Sequence, residues 1–325
     1  MKCVRCGGEG ARYALSFARA AFCRECYVSR FERKLKSTVL KYGMHRVMGR
    51  TLVAVSGGKD SVALLAGLRR AFGDLDLTAL YVDLGIPDYS ERSEEVVRRV
   101  CDRLGVPLIV HDLKSSEGLS IPELAVGRFR RKPCAVCGTV KRHVLNRIAV
   151  EKGFDTVATG HNLDDTVEVL FELYRRGRLE EAVRLRPVLP GNGVNLANRV
   201  KPLFEMTDEE DLYYVDALEL EHVDSWCPLV RGSRMVSRKQ LILEIESRIP
   251  GFRHTLLKAH VKRVLSLLEA AVPRAETRPC RSCGQPTTSD VCAYCRTVVG
   301  VRAKAPRPDG LAGRSGGPAG TSPPT

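Results

Sequence analysis

Residues 53–61, Val53-Ala54-Val55-Ser56-Gly57-Gly58-Lys59-Asp60-Ser61, run an apolar strand into SGGKDS and then into a helix. Two successive glycines let the backbone turn sharply and approach a phosphate closely. Ser56 and Ser61 offer hydroxyls. The helix beginning near Asp60 aims its first amides, the positive end of its dipole, at the anion. Lys59 adds a cation, whereas Asp60 is out of place in a pure anion site unless a divalent metal travels with the phosphates. The stretch is not a Walker A loop, because an aspartate rather than Ser or Thr follows the lysine. Strand, glycine loop and helix in this order point to a nucleotide.

Outward from the loop, strands alternate with helices. Strands are expected at 51–55, 77–82, 107–112 and 156–159, and helices at 62–72, 93–104, 141–152 and 164–175. That alternation indicates a parallel sheet covered on both faces. Its ligand belongs beyond the carboxyl ends of the strands, where SGGKDS and Gly160-His161-Asn162 both fall. Before the sheet, 29–48 reads as a basic amphipathic helix with Phe31, Leu35, Val39 and Leu40 on one side. Its basic face is either solvated or available to RNA. After it come an acidic helix at 207–220 and helices with apolar stripes at 237–249 and 252–270. From Lys304 the chain is dominated by Pro, Gly, Ser and Thr and is expected to be disordered. The domains expected are 1–28, 29–50, 51–235, 236–275 and 276–298, with a tail at 299–325: zinc finger, linker helix, catalytic domain, helical extension, zinc finger.

Of 325 residues, 44% are hydrophobic and 28% charged, an ordinary globular balance. No run approaches a membrane span, and the charged start of the chain argues against a signal peptide, so a cytoplasmic protein is expected. The formal charge of +14 favours a polyanionic partner, nucleic acid first, over a merely Arg-rich genome. Twelve cysteines in that compartment read as metal ligands or catalytic thiols. Cys3-x2-Cys6 with Cys23-x2-Cys26, and Cys280-x2-Cys283 with Cys292-x2-Cys295, form two quartets for zinc. Each quartet is short, so metal is expected to supply its folding energy. Cys101 reads as a buried core thiol.

Cys134-x2-Cys137 stands mid-chain, with Cys227 alone in Trp226-Cys227-Pro228. These residues allow half a zinc site, a redox pair, or three ligands of an iron–sulfur cluster. Structural zinc takes four ligands and only three cysteines remain, whereas a three-cysteine cluster keeps one iron open. Lys141, one helical turn past Cys137, would face the same site and steady phosphate charge. Thr159-Gly160-His161-Asn162-Leu163-Asp164-Asp165 is a strand-end turn entering a helix. Asp164 reads equally as helix cap or functional group, Asp165 as a carboxylate near the triphosphate, and His161 as nucleotide contact or turn residue.

The loop resembles that of the N-type ATP pyrophosphatases, which adenylylate a substrate and release pyrophosphate. Together, SGGKDS, PCAVCG-x-x-KR, TGHNLDD, WCP and CRSCGQPTTSDVCAYCR resemble the TtuA/Ncs-type tRNA 2-thiouridine synthetases over residues 3–295. The resemblance implies an α/β fold: a parallel-sheet PP-loop ATP pyrophosphatase domain flanked by N- and C-terminal zinc knuckles. It implies ATP, Mg2+, two Zn2+ and a [4Fe-4S] cluster on Cys134, Cys137 and Cys227. ATP would adenylylate uridine O2, and sulfur from a ubiquitin-like carrier protein or sulfide would displace AMP. It assigns Lys141, Asp165 and Asp60 to catalysis. Ser56, Gly57, Gly58, Lys59, Asp60 and Ser61 would grip the phosphates, and Ala54, Val82 and Gly160 would line the nucleotide through backbone contacts. Some relatives carry His at the last N-terminal zinc position, where this chain has Cys26; zinc binding survives the change. A tRNA substrate, a homodimer and no membrane association are implied, with uridine 54 favoured over wobble uridine 34. The competing readings are a PP-loop small-molecule ligase or amidotransferase, which leaves the cysteines and charge unexplained, and a zinc-ribbon RNA-binding protein, which leaves SGGKDS and TGHNLDD unexplained.

Overall fold

The computed structural model describes residues 1–126, 133–230, 234–273 and 276–302. The chain opens with a hairpin, β1 (Tyr13–Leu15) and β2 (Ala20–Phe22), which carries the first cysteine quartet. Helix α1 (Arg24–Lys41) begins inside that quartet and ends seven residues before position 48, the end expected from sequence. Its Tyr27, Phe31, Leu35 and Val39 recur every four residues and are buried. Leu40 does not join them. It sits about 100° further round the helix from Val39 and is exposed. The basic face is partly spent within the fold: Arg30 and Lys34 both pair with the fully buried Glu210.

The main domain then runs through β3 (Thr51–Val55), α2 (Lys59–Ala71), β4 (Leu77–Asp83), α3 (Tyr89–Leu104), β5 (Leu108–Asp112), α4 (Leu113–Glu117), α5 (Ile121–Val126), α6 (Pro133–Glu151), β6 (Thr156–Thr159), α7 (Leu163–Arg175), α8 (Leu179–Ala182), β7 (Val188–Leu189), β8 (Asn198–Val200) and α9 (Asp208–Ala217). The sheet order is β5-β4-β3-β6-β8-β7, parallel except for the edge strand β7. Alternate residues serve opposite faces. Val53, Val55, Ala79, Tyr81 and Ala158 join the core under α1, α2, α3 and α9, while Leu52, Leu80, Val82 and Val157 join the core under α5 and α6. Phe31 of α1 stacks on Tyr214 of α9 at 3.9 Å, which closes the first of these cores. Helix α9 starts from a capping box in which Thr207 and Glu210 satisfy each other's backbone N–H.

Helices α10 (Arg234–Arg248), α11 (Phe252–Ala259) and α12 (Leu265–Ala271) follow, the last two joined by a π turn at His260–Val264. They bury Ile242, Leu257 and Leu268 against α7. The second quartet lies on β9 (Arg278–Pro279), β10 (Pro286–Thr287) and α13 (Ala293–Arg302). Neither knuckle stands alone. Cys3, Tyr13 and Phe22 enter one core of the main domain, and Cys280, Cys292, Tyr294 and Val298 enter the other. Metal is therefore not the only source of their order. Among the described residues no helix is long and apolar enough to cross a membrane. The tail expected to be disordered, from Lys304 onward, lies outside the described residues.

Candidate active site

The strand order reverses direction between β3 and β6, so the loops leaving these two strands face each other across a crevice. Gly57, with φ +79°, turns the chain after β3; a Cβ there would lie 3.0 Å from the Ser93 carbonyl oxygen. The Gly57 carbonyl accepts from the Val223 N–H at 2.9 Å. Gly58 caps α2 in an extended conformation, leaving the first amides of the helix free for an anion. The two hydroxyls differ. Ser56 is exposed, whereas Ser61 is buried and braces the loop, accepting from Ser56 N at 3.0 Å and donating to Gly58 O at 2.9 Å. Gly160, the residue after β6, abuts the Asp60 and Ser61 backbone so tightly that a Cβ would sit 3.2 Å away. Ala54 and Val82 belong to the same sheet face at the carboxyl ends of adjacent strands.

Charged groups crowd this crevice. Lys59 lies 2.5 Å from Asp60 and 3.1 Å from Asp208, and Lys239 lies 2.6 Å from Asp165 and 3.2 Å from Asp208. Burial works against Asp208, but Lys59 and Lys239 outweigh it and hold the carboxyl at about 2. Burial raises Asp60, which also feels Asp208 and Asp165, while Lys59 partly offsets them. Asp211 is wholly buried; burial and the neighbouring Asp60 push it well above the carboxylate range. Its Oδ2 accepts from Asn162 at 3.1 Å, and its Oδ1 has no partner among the described residues. Asn162 also caps α7 through the Asp165 N–H and donates to Asp208 at 2.6 Å. Asp164 is therefore not the cap of its own helix. It accepts from Asp208 N at 2.8 Å, the first turn of α9, and pairs with buried Arg253 at 2.5 Å.

On the other side of the crevice, α6 is helical from Pro133 within the described residues, at least eight residues earlier than expected. Cys134 and Cys137 are thus in its first described turns, with Lys141 one turn on. Cys134 is exposed; Cys137 and Cys227 are half-buried. Burial raises the Cys137 thiol, Lys141 lowers it, and Cys227 and Cys134 raise it further, so the three sulfurs share one neighbourhood. Tyr89 feels both Cys227 and Cys137. The spacing differs at the chain ends, where each quartet holds all its ligand atoms within 4.8 Å. Cys6 and Cys23 are 3.8 Å apart, as are Cys283 and Cys292. That is the edge of a tetrahedron with metal–sulfur bonds of about 2.3 Å. Backbone N–H groups of Cys23 and Cys6 lower Cys3 to about 6, and N–H groups of Cys292, Ser282 and Cys283 overcome burial to do the same for Cys280. Cys101 is buried, its thiol raised to about 11 by burial.

Three cations lie between these halves. The Arg142 guanidinium folds back over Gly138 toward Cys137, and Arg199 and Lys201 flank the end of β8. Burial and Arg142 lower Arg199; burial and Arg199 bring Lys201 down to about 8 against the pull of Asp165. Burial, with Lys201 and Arg199, also lowers His161, whose Nδ1 is 2.9 Å from Thr159 Oγ1. Sequence reasoning missed Asn162, Arg199, Lys201, Asp208, Asp211 and Lys239 as site residues. The one available signal was Asn162, a favoured cap directly before a helix.

A strand–loop–helix phosphate site at the switch point of a parallel sheet defines a PP-loop protein. The PP-loop domain family matches residues 28–225. The tRNA-5-methyluridine(54) 2-sulfurtransferase of Pyrococcus horikoshii is 35% identical over 296 residues, 91% of this chain and 93% of the relative. That of Thermus thermophilus is 37% identical, over 91% and 90%. The solved U34-tRNA thiolase NcsA from Methanococcus maripaludis with its [4Fe-4S] cluster superposes with a TM-score of 0.76 at 25% identity, covering 91% of this chain and 95% of that one. The chain belongs to the PP-loop tRNA 2-sulfurtransferase family.

Proposed function

We propose that the chain is an ATP-dependent tRNA 2-sulfurtransferase that makes 2-thiouridine, or 5-methyl-2-thiouridine, at position 54. One observation carries the reading: Cys137 and Cys227 pack into the same core as Ala54 and Val82, at the strand ends beside the pyrophosphate loop. The names of the Pyrococcus and Thermus relatives support position 54.

The loop amides, the α2 dipole and Lys59 hold the β and γ phosphates, leaving the α phosphorus open. Backbone at Ala54, Val82 and Gly160 lines the nucleotide. Uridine O2 attacks the α phosphorus, its bond to the β-phosphate oxygen breaks, and pyrophosphate departs into the loop. Sulfide sulfur then attacks C2 and loses its proton. The C2–O bond breaks, and AMP leaves with the former uridine oxygen. Lys141 steadies the charge on that phosphate, and Asp165, anchored by Lys239, orients the reacting groups. Asp60 and Asp208 would hold magnesium, a fit supported by the unpartnered Asp211 oxygen beside them, and the ion would neutralise phosphate charge.

Cys134, Cys137 and Cys227 fit a group larger than one ion, since they are wider apart than the quartets and lack a fourth cysteine. A [4Fe-4S] cluster held there supplies an iron free of protein ligands, suited to carrying sulfur from sulfide or a ubiquitin-like carrier protein. The terminal quartets would each hold zinc. We place the enzyme in the cytoplasm, acting on tRNA as a homodimer. The likeness to NcsA favours a second reading, the same chemistry at wobble uridine 34.

The test is an anaerobic reaction of purified protein with ATP, magnesium, sulfide and unmodified tRNA, followed by mass-spectrometric nucleoside mapping. Thiouridine at 54 is expected, and it should vanish in Cys134→Ser, Cys137→Ser and Cys227→Ser while zinc content holds. Thiouridine at 34 would move the target. No thiouridine from metal-replete protein would return the question to a small-molecule ligase.

A further inference from the structure

Trp226, the only tryptophan in the chain, is 63% exposed and precedes Cys227 directly. It thus presents a largely exposed aromatic side chain next in sequence to the cysteine set. Arg142, Arg199 and Lys201 extend from Cys137 toward Asp165, and none of the three makes an ion pair among the described residues. Arg142 is exposed, whereas Arg199 and Lys201 are half-buried, and the latter two differ from several other cations withdrawn from solvent. Arg30, Lys34, Lys59, Lys239 and Arg253 all rest on carboxylates. Half-buried cations without a counter-ion, such as Arg199 and Lys201, carry a cost that an anion from outside relieves.

An exposed aromatic face beside unpaired cations is the chemistry that recognises an unstacked nucleotide: the base stacks and its backbone phosphate meets the cations. A uridine inside a folded RNA cannot offer O2 and C2 to two reagents on one crevice without leaving its stack. Resting on the thiolase reading, we infer that Trp226 is a positioning residue that stacks on the extruded target uridine or its immediate neighbour, while Arg142, Arg199 and Lys201 bind the flanking RNA phosphate. Trp226 thus sets where the base lies relative to Cys227.

The single tryptophan makes this measurable. Titration of the holoprotein with unmodified tRNA should quench its fluorescence, whereas ATP alone should not. Trp226→Ala should lower kcat/KM for tRNA thiolation by about 10- to 100-fold, the range expected for losing one base–aromatic stack, with ATP affinity retained as the check on folding. Trp226→Phe should recover most of the loss, because it restores a stacking face. Arg199→Ala should weaken tRNA binding and flatten its salt dependence. Wild-type thiolation with no quench and an unimpaired Trp226→Ala variant would overturn the inference and leave the thiolase reading intact. A wild-type protein that thiolates no tRNA would instead fail that reading.

Discussion

Replacing Lys201 with methionine should stabilise the ligand-free protein while weakening its reaction with tRNA. The lysine is brought from an ordinary 10.5 to about 8, first by burial and then by Arg199, with Asp165 pulling the other way. At about 1.4 kcal/mol per unit, the strained charge costs the folded state at most about 3.5 kcal/mol. Relaxation and water in the open crevice reduce this, and about 1–2 kcal/mol is expected. Methionine keeps an unbranched stem near Phe204 without the ammonium, which now lies 5.9 Å from that ring. The gain should raise Tm by roughly 2–4 °C. Linkage fixes the sign of the pH dependence. Below pH 8 both folded and unfolded chains carry the charge and the cost is full. Between pH 8 and 10.5 only the unfolded chain binds the proton, so wild-type stability rises and the gap to the variant closes. Thermal unfolding of wild type, Lys201→Met and Lys201→Arg at pH 7 and above 10 is the assay. Lys201→Arg retains the charge and should show no gain. A methionine variant no more stable than wild type at pH 7, or a gap that persists above pH 10, would refute the account of an unpaired cation.

Arg253→Ala should be among the most damaging single changes, because Arg253 and Asp164 are each 5% exposed and removal strands a buried carboxylate. A loss of about 3–5 kcal/mol is expected in thermal or denaturant unfolding, with Arg253→Lys recovering only part, since Glu246 also depends on the guanidinium. A loss under about 1 kcal/mol would contradict it. Gly57→Ala should cost about 1–3 kcal/mol through its positive φ and should sharply weaken ATP binding, because the Ser93 carbonyl blocks the new Cβ. Unchanged calorimetric ATP affinity would show that the loop tolerates the shift.

The sheet and its loop were legible because their signals are local. Apolar runs, a double glycine and a helix start fall within a few residues of one another. The quartets were legible for the same reason, since paired C-x2-C spacing is itself the ligand geometry. What escaped was tertiary. Asp208 and Asp211 read only as the start of an acidic helix, but the structure sets that start, capped at Thr207, beside Lys59 and Asn162. Lys239 lies on a helix read only for its apolar stripe, and Asp164 reads equally as cap or functional group because nothing nearby reveals Arg253, 89 residues away. The early start of α6 was hidden by Gly138 and the cysteines, weak helix formers that the packing of Val136 and Val140 overrides. Leu40 failed for a simpler reason: adjacent residues cannot share a helix stripe.

The two walls of the crevice are charged by opposite rules, and that difference orders the chemistry. On the loop wall every cation already has a carboxylate: Lys59 with Asp60 and Asp208, Lys239 with Asp165 and Asp208. On the proposed function, an arriving triphosphate would compete for Lys59, and the freed carboxylates would suit a divalent cation accompanying it, so that nucleotide and metal would replace a resident ion pair rather than fill an open charge. On the cysteine wall Arg142, Arg199 and Lys201 have no such partner among the described residues, and an anion entering there meets attraction with little to displace. The C-terminal knuckle keeps this wall in place. Tyr294 stacks on His143 at 3.7 Å and donates to Glu117, while Asn146 donates to Gln285, and all of these contacts bear on α6 or the helix beside it. The position of Cys134 and Cys137 relative to the loop therefore depends on a knuckle more than 140 residues later in the chain, which explains why a four-cysteine module is built into the core rather than tethered to it.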